Sequence, residues 1–438
     1  MLRLESGEAL VSGELTGQHR LKVVVEPEAE AKSKEPVVVR VELPMSGRAA
    51  WPAADVEVRD SQGRAVVVRR GGLEWHKLLI PVPSSPSTYT VQVVPPSKSM
   101  ASLRPTREEE RRFADAGTGI RGSIAHWHDG RRAALSLRFD DSHPTHLSKA
   151  IPILREYGFR GTFMVNPGPD EPGSRRRSPF QAELAAWKAV AEAGDQEFAN
   201  HTAHHRGATS DEGMDVEIGS AARVIRELTP GRSPLMALNL GGGTVWSTSH
   251  TLRHYLERHR QFDASSGSLG MDDSYGNRVS AFRAHLERHL TSGGWCRAHF
   301  HYIGKGLSSS EANFRAALDV AKQHREALWI AGMADIHKYQ LERNSSALKL
   351  LESDDDRIAF RLECSADAEL YDQPLTIEMA GSPAWPADQL RLQDARGAAI
   401  AVRKVSTDGG VVLRAELAAR SASYFVVRSP AKTNGSDE

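Results

Sequence analysis

A short apolar run that ends in two adjacent carboxylates restricts the fold of this chain more than any other feature of its sequence. Residues 133–139 (AALSLRF) are mostly apolar, as in strands buried on both faces, and Asp140 and Asp141 follow at once. An amphipathic segment at residues 147–154 and a second apolar run at residues 161–165 come next. This order predicts a strand-helix-strand unit. The acid pair then lies at the carboxyl end of a parallel strand, where α/β proteins place their sites.

The acid pair favours a metal site as the first hypothesis. Two neighbouring carboxylates resist joint ionisation, so a protein that keeps them together usually holds a cation between them or moves a proton. The two cysteines, Cys296 and Cys364, fall in different predicted domains and form no C-x-x-C or zinc-ribbon spacing. Any metal ion must therefore be held by nitrogen and oxygen ligands.

Histidines four residues apart are candidates for the nitrogen ligands, because two such rings can reach one ion in a helical or tightly turned segment. The chain has three pairs with this spacing: His201/His205, His250/His254 and His285/His289. The second and third pairs lie on helical patterns with arginine-rich neighbours, where a solvated helix face is the better interpretation. The first pair follows a strand-like segment and lies about sixty residues after the acid pair.

The sequence around these residues resembles the polysaccharide deacetylases (carbohydrate esterase family 4). The first motif of that family is TFDDG, and here RFDDS at residues 138–142 keeps the acid pair but departs on both sides. The second motif, H-[ST]-x-x-H, matches HTAHH at residues 201–205, after the lead-in WKAVAEAGDQEFAN. The resemblance covers roughly residues 124–343. It implies a distorted (β/α) barrel and an acetylated glycan as substrate.

The resemblance also implies roles for the acids and histidines. Asp141, His201 and His205 would be the metal ligands, with Zn²⁺ the expected ion and other divalent first-row ions compatible with the same set. Asp140 would be the general base that takes a proton from a metal-activated water; the alternative is that it only orients a ligand. His204, beside the pair, is a runner-up ligand.

The family places the acid that protonates the leaving group in an L-x-H motif on a late strand. Residues 295–302 (WCRAHFHY) offer His299 and His301 on one face of a predicted strand, because residues two apart point the same way. His301 fits the family position, and His299 stands where the family has Leu. For each, the alternative is a buried structural histidine. Trp295 is a candidate apolar wall of the substrate site, since no convincing D-W motif of the family is found.

The oxyanion site departs from the family. Members usually carry an R-P-P-Y type motif whose arginine orients the base and whose backbone helps to bind the oxyanion, whereas residues 239–244 here read NLGGGT. Gly241 and Gly242 can present backbone N–H groups to a developing oxyanion, but the run supplies no guanidinium. The source of the base-orienting group is therefore open.

A sequence repeat on both sides of the barrel predicts two related β-modules. Residues 51–70 (WPAADVEVRDSQGRAVVVRR) match residues 385–404 (WPADQLRLQDARGAAIAVRK) without a gap. Short β-rich runs and turn-rich pieces surround both copies, which is typical of all-β sandwiches. The alternative is convergent hairpin chemistry. Neither predicted module has a clustered aromatic platform, so we expect the modules to frame the barrel rather than to bind glycan alone.

These patterns predict an α/β barrel flanked by two related all-β sandwiches. The expected order is an N-terminal sandwich (1–100), a linker with a short helix near residues 107–114 (101–123), a deacetylase barrel (124–345), a C-terminal sandwich (346–430) and a disordered tail (431–438).

Charge and hydropathy exclude several partners. Lys+Arg and Asp+Glu both number 56, so no net field attracts nucleic acid or an acidic membrane surface. No apolar run reaches the length of a membrane span. The first residues lack the apolar core of a signal peptide, which favours no export, although the resembling family usually acts outside the cytoplasm. The sequence predicts no oligomeric state.

Together these features predict a metal-dependent hydrolase that removes N- or O-linked acetyl groups from a polysaccharide or oligosaccharide by attack of a metal-activated water on the acetyl carbonyl. One alternative is a carbohydrate-binding protein built on a catalytically retired deacetylase barrel. Another is a metal hydrolase of a different amide or ester. Retention of both acids and both histidines speaks against the first alternative, because buried carboxylates without a use are costly.

Overall fold

The computed structural model describes residues 3–5, 9–27, 37–47, 49–83, 85–95, 103–169, 178–304, 308–407 and 410–428. The predicted disordered tail at residues 431–438 lies outside these ranges. Within them, no helix combines the length and the apolar character needed to cross a membrane.

The N-terminal part consists of two antiparallel sheets around one core. Its strands are β1 (Arg3–Glu5), β2 (Ala9–Gly17), β3 (Arg20–Pro27), β4 (Val37–Glu42), β5 (Val56–Asp60), β6 (Val68–Gly71), β7 (Glu74–Val82) and β8 (Ser87–Val93). One sheet has the order β2-β3-β8-β5, and the other begins β1-β4-β7-β6. Val39 of β4 and Val58 of β5 are buried in the same cluster, so the two sheets pack face to face. We call residues 9–95 the N-terminal β-region.

The central part alternates strands and helices. Its strands are β9 (Arg112–Ala114), β10 (Arg121–Ile124), β11 (Ala133–Phe139), β12 (Gly161–Val165), β13 (Glu197–Asn200), β14 (Gly207–Ala208), β15 (Met236–Leu238), β16 (Val245–Thr248), β17 (Gln261–Asp263), β18 (Leu269–Gly270), β19 (Trp295–Phe300), β20 (Tyr302–Ile303), β21 (Ser308–Ser309) and β22 (Leu328–Ile330). Its α-helices are α1 (Ile151–Tyr157), α2 (Pro179–Ala182), α3 (Leu184–Ala193), α4 (Asp211–Leu228), α5 (Leu252–Arg258), α6 (Arg278–Ser292), α7 (Glu311–Gln323) and α8 (Met333–Asn344).

One parallel sheet organises this part. Its order is β17-β15-β13-β12-β11-β19-β18, every neighbouring pair is parallel, and β22 pairs with the first residues of β11. Every residue of β11 is buried, as its apolar sequence predicts. Phe139 at the end of β11 stacks on Phe163 of β12 and Phe300 of β19, with ring centroids 4.8 and 5.2 Å away. This packing confirms the predicted α/β class and brings the carboxyl ends of the strands together.

The C-terminal part again has two antiparallel sheets. Its strands are β23 (Ser346–Ser353), β24 (Arg357–Cys364), β25 (Leu375–Ala380), β26 (Leu390–Asp394), β27 (Ala399–Ile400), β28 (Arg403–Thr407), β29 (Gly410–Leu417) and β30 (Ala422–Arg428). The sheet orders are β23-β24-β30-β26-β27 and β28-β29-β25-β10-β9. Leu392 of β26 and Leu413 of β29 share one buried cluster, so these sheets also face each other. We call residues 346–428 the C-terminal β-region.

The predicted linker is ordered in its described part. Strands β9 and β10 lie within or at the end of residues 101–123, and β10 pairs with β25 in antiparallel register, Arg121 opposite Ala380. The expected short helix near residues 107–114 is only a 3₁₀ turn, Glu108–Arg111, that runs directly into β9. The edge of β25, far away in sequence, stabilises these strands. The charged local sequence therefore gave no sign of them.

The two β-regions have the same strand order. Replacing β2, β3, β8 and β5 by β23, β24, β30 and β26 converts one N-terminal sheet into its C-terminal counterpart, and β4-β7-β6 corresponds in the same way to β25-β29-β28. Trp51 and Trp385 are both buried, and each precedes a 3₁₀ turn that leads into a strand, β5 or β26.

The turn after that strand is also shared. Gly63 and Gly397 have φ values of 78° and 80°, and each donates its N–H to the carbonyl of the aspartate three residues earlier, Asp60 or Asp394. Each of these aspartates accepts two further backbone N–H groups of its turn. The repeat in sequence is thus a repeat in backbone conformation.

Candidate metal centre and active site

Residues that follow the parallel strands form one polar cluster. Asp140 follows β11, His201 follows β13, Asn239 follows β15, Asp272 comes two residues after β18 and His301 follows β19. The carboxyl ends of parallel strands lie on the same edge of a sheet, so side chains from distant parts of the sequence converge there.

Asp141, His201 and His205 form the predicted three-ligand group. One oxygen or nitrogen atom of each lies within 4.8 Å of the others. Oδ1 of Asp141 is 3.2 Å from Nε2 of His201 and 3.7 Å from Nε2 of His205. Ligands bound about 2.1 Å from one tetrahedral ion lie about 3.4 Å from each other. The three atoms are therefore spaced to bind a single divalent ion.

The tautomer of His201 gives a second test of that fit. Nδ1 of His201 lies 2.9 Å from the carbonyl oxygen of Asn239, which can only accept, so Nδ1 carries the proton. Without an ion, a proton on Nε2 of His201 faces the carboxylate of Asp141; a bound cation would replace that proton and leave the Nε2 lone pair free to bind it. A fixed Nδ1–H to a carbonyl is the usual arrangement for a metal-binding histidine.

The backbone around the ligands is strained. Six described residues other than glycine have positive φ, and four of them lie in this site: Asp141 at 78°, Ser142 at 53°, Thr202 at 67° and His205 at 55°. Ser142 stands where the resembling family has glycine, and its hydroxyl accepts the N–H of Asn166 at 2.8 Å. Strain of this kind persists where the surrounding structure fixes a functional geometry.

Asp140 is oriented by an arginine from its own strand. Oδ2 of Asp140 accepts from the guanidinium of Arg138 at 2.9 Å and from Nδ2 of Asn239 at 3.3 Å. Arg138 is anchored in turn by the carbonyl of Ala264 at 2.8 Å. The sequence had left open which guanidinium lies beside Asp140, and the structure places that of Arg138 there, from within the first motif. Oδ1 of Asp140 is buried and has no hydrogen-bond partner.

Both acids of the pair are ionised. Burial works to raise the pKa of Asp140, but the charges of Arg138 and His201 outweigh it, and the pKa falls below its usual value. Burial likewise opposes ionisation of Asp141, yet the hydrogen bond and charge of His201, with His205, bring its pKa far below the usual range. The neighbouring cations favour the ionised form of both carboxylates, so the two need not share a proton.

His301 forms a dyad with a buried acid. Nδ1 of His301 lies 2.6 Å from Oδ2 of Asp272, which has no solvent exposure. This hydrogen bond raises the pKa of His301. Burial and the charge of Arg138 instead lower the pKa of His299 to about 4, and its Nδ1 lies 3.2 Å from the hydroxyl of Ser268. At neutral pH His301, rather than His299, is suited to hold a proton.

Two residues named from sequence lie away from the ligands. Nδ1 of His204 is 2.7 Å from the buried carboxylate of Glu217, and its Nε2 lies 3.2 Å from the carbonyl of Pro169, so the ring is turned away from the ligand group. Trp295 begins β19 opposite Ala134, five residues before the end that bears the site, or about 16 Å along a strand. The structure thus places Trp295 at the start of β19, away from the ligand group, because residues that share one face of a strand can still lie at its opposite ends.

The glycine run contacts the ligands directly. The N–H of Gly241 donates to Oδ1 of Asn239 at 3.1 Å, so it is not available to an oxyanion. Gly241 has φ of 83°, and a Cβ at this position would lie 2.3 Å from Nε2 of His205. Only glycine fits against that ring. Gly242, which is exposed, stays a predicted oxyanion donor.

Sequence analysis missed three residues of the site. Arg138 could have been found, because residues two apart on a strand share a face and Arg138 precedes Asp140 by two. Asp272 gave no usable signal, since it follows a strand of only two residues. Asn239 was noted only as the start of the glycine run, and its contacts with His201 and Asp140 depend on the parallel sheet.

Comparison with known proteins identifies the same part of the chain. Residues 128–257 match the model of the polysaccharide deacetylase family. The matched segment contains Asp140, Asp141, His201, His205 and Asn239 and ends before Asp272 and His301. A gellan lyase from a Bacillus species is 22% identical over 296 residues, which make up 60% of this chain and 12% of that protein.

Solved structures of similar proteins align with part of the chain. A peptidoglycan deacetylase from Bacillus subtilis is 15% identical, with a TM-score of 0.33, and the alignment covers 47% of this chain and 90% of that one. A family 4 carbohydrate esterase from Streptomyces lividans is 16% identical, with a TM-score of 0.33, and the alignment covers 47% of this chain and 94% of that one. A family 4 carbohydrate esterase pseudoenzyme from Bacillus anthracis is 12% identical, with a TM-score of 0.34, and the alignment covers 48% of this chain and 66% of that one.

The motifs at residues 138–142 and 201–205 both fall within the matched residues 128–257, and they lie at the carboxyl ends of β11 and β13. Polysaccharide deacetylases are hydrolases that act on acetyl amide or ester bonds. Within the central α/β part, residues 128–257 of this chain belong to a polysaccharide deacetylase domain.

Proposed function

We propose that the protein is a metal-dependent hydrolase that removes acetyl groups, N- or O-linked, from a polysaccharide or oligosaccharide. The observation that carries the proposal is the arrangement of Asp140. Its carboxylate is ionised, is fixed on one oxygen by Arg138, and lies next to the ligand residue Asp141. A base fixed in this way beside a cation site is suited to activate water.

Asp141, His201 and His205 would hold the metal ion, and two imidazole nitrogens with one carboxylate oxygen suit Zn²⁺ best. When bound, the ion would polarise the acetyl carbonyl and lower the pKa of a nearby water. Nδ1–H of His201 donates to Asn239 and so keeps Nε2 directed at the ion's position. The pKa of His205 is lowered by burial, which keeps its ring neutral and able to bind metal.

Asp140 would accept the proton of the attacking water. Its Oδ2 is engaged by Arg138 and Asn239, whereas Oδ1 has no partner and offers its lone pairs to that proton. Arg138 stabilises the ionised base before the transfer.

His301 would protonate the departing amine or alkoxide. Asp272 holds Nδ1–H of the ring, so Nε2 carries the proton that is transferred. The raised pKa keeps this proton in place at neutral pH. Gly242 is the proposed backbone donor to the developing oxyanion.

We also infer that the two β-regions are copies of one sandwich module that frame the deacetylase domain. Their common strand order and their common turn at Gly63 and Gly397 support this inference. Acetylated glycan is the proposed partner.

The test measures metal content and acetate release on a panel of N- and O-acetylated glycans. The wild type loaded with Zn²⁺ should release acetate from at least one glycan. Removal of the ion with a chelator should abolish release, and added Zn²⁺ should restore it. A metal-loaded protein that releases no acetate from any of them would show that the site does not serve deacetylation.

Substitution of each acid separates their roles. Asp140→Asn should keep the metal ion and lose about 10² to 10⁴ in kcat, because the amide cannot accept the proton of the water. Asp141→Asn should lower metal affinity by at least about 10- to 100-fold, since it removes a ligand. Asp355 is exposed, so Asp355→Asn is the matched control and should change neither kcat nor metal affinity. A metal-free Asp140→Asn with a metal-replete Asp141→Asn would mean that the two roles are reversed.

A further inference from the structure

One loop connects the metal centre to the N-terminal β-region. The glycine loop, residues 239–244, runs from β15 of the parallel sheet to β16. At its start, the carbonyl of Asn239 accepts Nδ1–H of His201, and the side chain of Asn239 donates to Asp140. Two residues later, Gly241 lies against the ring of His205. The loop thus touches two metal ligands and the base.

The far end of the glycine loop belongs to the N-terminal β-region. Strand β16 pairs with β6 in antiparallel register, and Val245 lies opposite Gly71. The N–H of Gly72, in the two-residue turn between β6 and β7, donates to the carbonyl of Thr244 at 2.9 Å. Trp246 is buried in the core of that region, and its Nε1 donates to the hydroxyl of Thr244 at 2.9 Å. These bonds fix the end of the loop to the hairpin.

The contact between the hairpin and the loop leaves no free space. A Cβ on Gly72 would lie 2.2 Å from the hydroxyl oxygen of Thr244 and 2.3 Å from the carbonyl oxygen of Gly241. A Cβ on Gly241 would lie 2.3 Å from Nε2 of His205. The turn therefore contacts the loop, and the loop contacts the imidazole of His205. A displacement of the turn must move the loop or the ring.

We propose that the N-terminal β-region is part of the metal centre, with Gly72 as a positioning residue that holds Gly241 against His205 and thereby directs His205 towards Asp141. This inference rests on the proposed function only in taking Asp141, His201 and His205 as metal ligands. It assigns to the N-terminal β-region a part in the metal site itself, beyond framing the deacetylase domain.

Two neighbouring glycines provide the test. Gly72→Ala forces a Cβ into the loop, whereas Gly71→Ala adds the same group one residue earlier, where the nearest atom lies 3.5 Å away. Zn²⁺ affinity of the metal-free full-length chain is measured by competition with a chelator, and the Co²⁺ form is examined by visible absorption. Gly72→Ala should lose about 10- to 100-fold in Zn²⁺ affinity, as residues that support a ligand typically do, and should change the Co²⁺ spectrum. Gly71→Ala should match the wild type in both.

A milder variant covers the case in which Gly72→Ala does not fold. Trp246→Phe keeps an aromatic ring in the core but removes the donor to Thr244 together with part of the buried ring, so it should lower Zn²⁺ affinity by at least about two- to tenfold, the range of one hydrogen bond. A folded Gly72→Ala, or Trp246→Phe if the first does not fold, that binds Zn²⁺ as tightly as the wild type overturns the inference.

The outcomes for the inference and for the proposed function differ. Wild type that binds Zn²⁺ without releasing acetate, together with a weakened Gly72→Ala, refutes the deacetylase and supports the hairpin's role. Wild type that releases acetate normally, together with a Gly72→Ala that binds Zn²⁺ as tightly as the wild type, supports the deacetylase and refutes the hairpin's role. Wild type that binds neither Zn²⁺ nor Co²⁺ overturns both.

Discussion

The two β-regions have the same strand order and the same turn, yet they dock at opposite ends of the parallel sheet. The N-terminal region extends its sheet through β6, β16 and β14 beside the carboxyl ends, where the metal centre lies. The C-terminal region extends its sheet through β25, β10 and β9, which lead into the start of β11. The same fold therefore does not imply the same role. The N-terminal β-region is extended from its β6 edge and contacts the metal centre, whereas the C-terminal β-region is extended from its β25 edge and lies at the other end of the sheet.

Both ends have buried apolar contacts. Leu240 and Tyr255 share one cluster with the core of the N-terminal β-region, and Trp127 and Tyr339 share another with β25 of the C-terminal β-region. At the N-terminal side, the close approach of Gly72 to Thr244 and Gly241 is added to these contacts. Apolar clusters mainly contribute buried area, whereas close backbone contact transmits position.

The largest expected effect comes from the two equivalent tryptophans. Trp51→Ala and Trp385→Ala each remove a buried ring from the same place in their β-region and should each lower the free energy of unfolding by about 3–5 kcal/mol. Denaturant unfolding followed by fluorescence and circular dichroism measures both. Zn²⁺ affinity of the folded fraction should fall in Trp51→Ala, because Trp51 lies in the buried cluster that contains Leu240 of the glycine loop and Trp246, and should stay at the wild-type value in Trp385→Ala.

Trp51→Phe and Trp385→Phe are the matched controls, since they keep a ring and should cost less. If Trp385→Ala weakened Zn²⁺ binding as much as Trp51→Ala, the end of the sheet at which a β-region docks would have no bearing on the metal centre.

A second prediction concerns a buried acid at the C-terminal side. Burial, with the nearby Asp372, raises the pKa of Glu342 to about 9; its Oε1 accepts the N–H of Gln373, and its Oε2 has no partner. The folded state therefore binds a proton that the unfolded state releases near pH 4.5. The stability linked to this proton is complete below that pH and is lost as the pH rises towards 9, by at most about 1.4 kcal/mol per pH unit.

Glu342→Gln should remove this loss, so the variant should exceed the wild type in stability at pH 8 and approach it at pH 5. Thermal unfolding between pH 5 and pH 8.5 measures the difference, with exposed Glu352→Gln as control. If stability falls with pH equally steeply in the wild type and in Glu342→Gln, Glu342 is ionised in the fold.

The buried acid at the N-terminal side should behave differently. Burial also raises the pKa of Asp55, but Asp55 has Arg253 as partner, so Asp55→Asn should lower the stability at pH 8.

What the sequence could predict was local. The acid pair, the His201/His205 spacing and the turn at Gly63 are each encoded within a few consecutive residues, so motif and periodicity were sufficient to find them. His301 was named because residues 295–302 alternate as a strand and because His301 fits the L-x-H position of the resembling family; its role as an acid stays a prediction. The repeat also indicated, from sequence alone, that the two flanking regions are alike.

What the sequence could not predict depends on pairing between distant segments. Strands β14 and β16 are only two and four residues long and gain their place from β6, about 140 or more residues earlier. Asp272 acquires its role only because β18 lies beside β19. The sequence did not indicate that Trp295 lies away from the ligand group, because a strand has two ends, and alternation identifies the face of a residue but not the end at which a site forms.

The smallest expected effect is the most direct test that the two β-regions are copies. Gly63 and Gly397 both have left-handed φ, and no atom lies within 4 Å of a Cβ added at either, so Gly63→Ala and Gly397→Ala differ from the wild type only in backbone strain. Left-handed alanine costs about 1–2 kcal/mol, and the stiffer unfolded chain returns part of it, so each should lose about 1 kcal/mol. Urea unfolding should give losses that agree within about 0.5 kcal/mol, with Zn²⁺ affinity unchanged in both. Because neither turn touches the glycine loop, a loss of Zn²⁺ affinity in Gly63→Ala alone would show that any strain in the N-terminal β-region reaches His205, and the contact at Gly72 would then not be the specific link.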